Sequence, residues 1–179
     1  MNQLRALIRL FLDKLASVSI LKLIVITIRE VREMVSCRDV AKYFLTLNDP
    51  EIGDLISNLK LQKLVYYAQG FHLAIEDEPL FSDSIEAWAH GPVIPALYHD
   101  YKCFADGPIP PPDYFDVSNL SEDVRSLLDD VYSVFGQFSA WKLRNMTHEE
   151  PPWIEAWKGD KIISKKSMRY YFKTLLVNE

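Results

Sequence analysis

The sequence predicts a mainly α, compact domain of six to seven helices with room for one short β hairpin or strand pair. Three observations carry this. Apolar residues recur at spacings of three and four in one stretch after another from residue 37 onward. Four of those stretches open on a serine suited to cap a helix: Ser36, Ser121, Ser139 and Ser164. One stretch only, residues 85–90, alternates with a period of two. Apolar residues are 49% of 179, enough to close a real core.

Ser36 opens the first helix, residues 37–47, with Val40, Ala41, Phe44 and Leu45 on its apolar side. LNDPEIGD (47–54) reads as a turn, and residues 55–75 form a second, central helix. Pro79 breaks the polar segment 76–84. In IEAWAH (85–90), Ile85, Ala87 and Ala89 face one way and Glu86, Trp88 and His90 the other, as in a strand. Gly91-Pro92 ends it. Pro95 suits the first turn of a helix that runs to Tyr101 or Cys103. Four prolines in GPIPPPDY (107–114) make an extended connector. Asn119 or Ser121 caps a helix with Val124, Leu127, Leu128, Val131, Val134 and Phe135 along one face. Ser139 opens SAWKLRNMTH, which Pro151 and Pro152 stop, and Ser164 opens a last helix bearing Met168, Tyr171, Phe172 and Leu175.

The expected organisation is a hydrophobic, basic N-terminal extension, residues 1–34, and a globular domain, residues 35–179. The extension carries six Lys/Arg against three Asp/Glu; the rest carries fourteen against twenty-two, within a net charge of −5. An acidic domain is a poor grip for phosphate backbones, so no nucleic acid is expected as partner. Leu15–Ile28 is only 14 residues and is broken by Lys22. A membrane span needs about 20 apolar residues, so no stable membrane insertion is expected. Asp13 ahead of it, and no small-residue cleavage site after it, argue against a secretory signal. Three readings stay open for the extension: a helix packed on the domain, translation upstream of a start at Met34, or an amphipathic helix lying on a surface. Cys37 and Cys103 build no disulfide framework, which fits a cytoplasmic protein.

The chain holds no phosphate loop and no HExxH. His99 and Cys103, four apart, could face one metal, but two ligands are not a site. No metal and no cofactor are expected. His90 fits either a general base oriented by Glu86 or a ring that pins the Gly91–Pro92 turn, and we favour the second. His148 reads as a helix-end residue.

The central helix carries more polar aromatics and amides than a plain core helix needs. Leu61, Leu64, Val65, Ala68, His72 and Ile75 share its core stripe. Gln62, Tyr66 and Gln69 run beside it, and Lys60, Lys63 and Tyr67 form a third line. Large side chains with hydrogen-bonding tips suit contact with another protein. Packing under neighbouring loops suits them equally.

Four ordered motifs are carried by Val40, Ala41 and Tyr43; by Lys60 to Leu64 with Tyr66, Ala68 and Gln69; by Ala87, Trp88, Gly91, Pro92 and Val93; and by Leu143, Thr147, His148, Pro152 and Trp153. Together they resemble the Panacea domain, the SocA-like antitoxin family, also known as phage-associated proteins. The resemblance covers about residues 35–179. It implies a non-catalytic bacterial protein that neutralises a cognate protein toxin by direct binding. The alternatives are an adaptor that delivers the toxin to a protease and a small hydrolase using His90 or His148 with Glu86 or Glu149. On the binding reading, Lys63, Tyr66, Tyr67, Gln69 and Trp88 touch the toxin, with the tyrosine-and-glutamine side of the helix facing solvent. Gly91, Pro92, His148 and Trp153 hold the fold. Trp153 and Trp157, four apart, offer a second aromatic ridge.

Overall fold

A computed structural model describes residues 34–48 and 55–176. The expectations for the extension and for most of the 47–54 turn lie outside those residues. The described residues are mainly α, as expected: seven α-helices, two 3-10 turns and a three-stranded antiparallel sheet.

Ser36 caps helix α1 (Cys37–Thr46), its Oγ accepting from the amide of Arg38. Ser57 caps α2 (Asn58–Glu76), the longest helix among the described residues. Strand β1 (Ile85–Trp88) turns through Ala89 and His90 into β2 (Gly91–Val93), in antiparallel register with Trp88 opposite Gly91. Pro95 starts α3 (Pro95–Tyr101). Ser121, not Asn119, caps α4 (Glu122–Phe135). Ser139 caps α5 (Ala140–His148).

Two elements were not expected. Pro151 and Pro152 do end α5, but they also begin α6 (Pro151–Lys158). Proline suits the first turn because the amides there have no intrahelical acceptor to lose. Ile162 and Ile163 then form β3, which pairs with the free edge of β1, so the sheet order is β2-β1-β3. A pair of strands becomes three because α6 turns the chain back towards β1. Ser164 precedes α7 (Lys165–Leu176) and accepts from the amide of Ser167.

Helix α2 runs through the middle. It packs on α1, α3, α4, α5, α7 and β2, most extensively on α7. The α7 contact is close because Gly70 has no side chain: the Phe172 ring lies where a β-carbon would be. The expected core stripe holds through Ala68, then shifts. Leu73 and Ala74 are the buried residues of the last turn, His72 is half-buried with its Nδ1 2.8 Å from the carbonyl of Glu78, and Ile75 is exposed.

Gly91 sits at φ +99°, a conformation that only glycine adopts readily. A β-carbon there would lie 2.7 Å from Cε of Lys63 and 2.8 Å from Oγ1 of Thr147. Gly91→Ala is therefore expected to cost about 2 kcal/mol or more, read as a lower urea midpoint at unchanged slope.

Candidate functional site

The polar line of α2 does not face solvent. Lys63, Tyr66, Tyr67 and Gln69 are all at most 1% exposed, which corrects the expectation of a contact surface there. The reason is that the polar tips fasten distant segments to the helix. Gln62 accepts from the amide of Ile94 at 2.8 Å and donates to Oδ1 of Asn58. The Lys63 ammonium donates to the carbonyl of Pro92 at 2.9 Å. Tyr66 and Tyr67 donate to the two oxygens of Glu150, at 2.8 and 2.9 Å. Gln69 accepts from the amides of Leu80 and Phe81 and donates to the carbonyl of Phe81. A helix enclosed on every side tolerates polar groups only when they are satisfied in this way.

Two buried ionisable groups result. Burial pushes the Glu150 carboxyl up to about 7, against the opposing pull of the two tyrosine hydroxyls. Burial likewise brings the Lys63 ammonium down to about 7, and the positive Arg144 nearby adds to the effect. Burial, then the Glu150 carboxylate, raises both tyrosine hydroxyls well above their ordinary value. Sequence reasoning missed Glu150. A signal for the enclosed helix was present: residues 59–75 contain no Asp or Glu, which a solvated 17-residue helix surface seldom lacks.

An exposed aromatic surface lies instead around the Ala89–His90 turn. His148, at the end of α5, places Nδ1 2.6 Å from the carbonyl of Arg144 and Nε2 3.1 Å from that of Ala89, tying helix to hairpin. Its ring packs at 3.9 Å on Trp153, whose Nε1–H donates to the carbonyl of Trp88. Trp153 stacks on Trp157 at 5.3 Å, and the Lys161 ammonium lies 3.7 Å over the Trp157 ring. On the other side of the turn, His90 meets the edge of Trp141 at 5.7 Å, and Arg144 sits 6.0 Å from the centre of that ring. Two ring clusters, Trp141–His90 and His148–Trp153–Trp157, flank the turn and form one ridge joined through the Ala89–His90 backbone. Trp141 is 59% and Trp157 39% exposed, while Trp153 is buried beneath. The ridge stands on rigid elements, as a contact surface must.

Among the residues singled out from sequence, Gly91 and Pro92 meet Lys63, and His148 and Trp153 lie in the ridge, fastened to the carbonyls of Ala89 and Trp88. Trp88 is half-buried: its Nε1–H donates to Glu86 and its ring meets the edge of Tyr98. The pair needed for a His90 base is not brought together, because the Glu86 carboxylate is the one that accepts from Trp88. The nitrogens of His148 meet backbone carbonyls, not Glu149. Among the described residues, no three His, Cys, Asp or Glu side chains gather into a metal site, and no helix is long and apolar enough to cross a membrane.

The family model for Antitoxin SocA-like, Panacea domain, matches residues 61–154, just over half of the chain. Over 54 residues the chain is 50% identical to Antitoxin SocA of Caulobacter vibrioides (strain NA1000 / CB15N), a stretch that makes up 30% of this chain and 27% of that protein. No solved structure matches the chain.

Proposed function

Because the chain belongs to the Antitoxin SocA-like, Panacea domain, family, we propose that it is an antitoxin that neutralises a protein toxin by binding it through the aromatic ridge around the Ala89–His90 turn. The supporting observation is that Trp141 and Trp157 are exposed while the rings and carbonyls beneath them are locked by His148 and Trp153. Exposed tryptophans on a fixed platform are the usual energetic anchors of protein contacts. Trp88, half-buried in the same hairpin, flanks the ridge. From below, Lys63 holds the hairpin, Tyr66 and Tyr67 hold the α5–α6 junction, and Gln69 holds the segment ahead of β1.

The test is co-expression with the product of the adjacent gene. The wild-type chain should restore growth. Trp141→Ala together with Trp157→Ala should weaken binding by about 2 kcal/mol or more, roughly thirtyfold, and abolish rescue, with a thermal midpoint close to that of the wild type. Full rescue by the double variant would show that the ridge is not the docking face. Absence of rescue by the wild-type chain would count against the antitoxin reading itself.

A further inference from the structure

Among the described residues, Arg144 and Lys161 of the ridge form no ion pair. The ion pairs among the described residues, Arg38–Asp100, Arg169–Asp77 and Lys173–Asp77, lie on other elements. The Arg144 guanidinium is oriented only by neutral acceptors: it donates to Oδ1 of Asn145 at 3.1 Å and to the carbonyl of Ala89 at 3.3 Å. Its Nε is buried and has no hydrogen-bond partner. Lys161 is held by the carbonyl and the ring of Trp157. The acids near the hairpin and α6 accept from neutral donors: Glu86 from Trp88, Glu150 from Tyr66 and Tyr67, Glu155 from the Ser167 hydroxyl, and Asp160 from the amide of Ile162. Glu149, exposed beside His148, is the acid left at the edge.

An arginine pre-oriented by carbonyls, partly desolvated by an aromatic face and not neutralised, gains most from a carboxylate. A chain of net charge −5 repels an extended polyanion but accepts one acidic side chain delivered to a local cation. We infer that the toxin segment covering the ridge is acidic and seats a carboxylate on the Arg144 guanidinium, with a flat apolar or aromatic side chain of the same segment against Trp141. This rests on the docking reading above and adds the chemistry of the partner. Lys161, over Trp157, offers a second point for an acid further along the same segment.

Calorimetric titration of the full chain with the product of the adjacent gene tests it, at low and at high NaCl. Arg144→Gln is the informative variant, since it removes the charge and keeps a polar, hydrogen-bonding side chain; a far-UV circular dichroism melt checks the fold. The expected results are a loss of affinity of about tenfold in Arg144→Gln and a weakening of the wild-type complex by salt that the variant largely lacks. If Trp141→Ala loses affinity while Arg144→Gln binds as the wild type does, the docking reading stands and the acidic partner is overturned. If neither variant changes affinity, the ridge is not the interface and both fall. No heat with the wild-type chain removes the toxin reading and this inference with it. Comparable affinity for a single-stranded oligothymidylate, lost in Arg144→Gln, would overturn the inference by assigning the anion to a phosphate.

Discussion

The contribution of Lys63 and Glu150 to stability is expected to pass through a minimum near pH 7. Glu150 titrates at about 7 in the folded chain and at its ordinary value of 4.5 once unfolded. Between those values the folded state holds a proton that the unfolded state has lost. Its contribution is therefore complete below pH 4.5 and lost as pH rises to 7. Lys63 behaves oppositely: its folded value is about 7 against 10.5 unfolded. Its contribution is complete above pH 10.5 and lost as pH falls to 7. Each limb amounts to about 3 kcal/mol between pH 4.5 and 7 and between pH 7 and 9.5. The two limbs are separated by substitution. Glu150→Gln keeps an acceptor for one tyrosine and a donor to the other, and removes the acid limb. Lys63→Met removes the alkaline limb. Subtracting each variant's urea-unfolding curve from the wild type cancels the contributions that the two proteins share. A difference that does not vary with pH for either variant would mean that the group is already paired with opposite charge or open to water.

Gly70→Ala is expected to destabilise the domain by about 3 kcal/mol, roughly 10 °C in the thermal midpoint. On an exposed helix the same change would gain about 1 kcal/mol from propensity alone. Here the new β-carbon would lie 2.3 to 2.6 Å from three atoms of the Phe172 ring. That ring cannot swing away. It is fully buried, edge-on to Phe71 at 5.0 Å and to Tyr66 at 5.6 Å, and it also meets Tyr67 and Tyr171. α7 must therefore move off α2, and the tyrosines that hold Glu150 move with it. The clash is specific, so a double-mutant cycle identifies it. In a Phe172→Leu background, Gly70→Ala should cost at least about 2 kcal/mol less than in the wild type. Additive losses would place the cost elsewhere in α2.

The helices were legible because their determinants are local. A serine Oγ that accepts an amide two or three residues on, followed by apolar residues at helical spacing, fixes a start and a face without reference to the rest of the chain. Ser36, Ser121 and Ser139 act in this way. Helix α6 was not legible because its two prolines terminate one helix as well as they begin the next. Strand β3 is two residues long and exists only because β1 has a free edge at that place.

For the site, periodicity showed which side chains of the central helix share a line, and the four ordered motifs showed the family. Whether that line is wet or dry depended on residues far along the chain. The acceptor for Tyr66 and Tyr67 lies 84 and 83 residues away, and the partner of Lys63 lies 29 away. The ridge likewise joins His90 to Trp141 and Ala89 to His148 across more than 50 residues. Helix starts and apolar faces are set by atoms within a turn of one another, so the order of residues determined them. Burial is set by what the remaining elements lay over each face, and a tyrosine that could bond either water or a distant carboxylate took the carboxylate only once α5, α6 and α7 had closed around it.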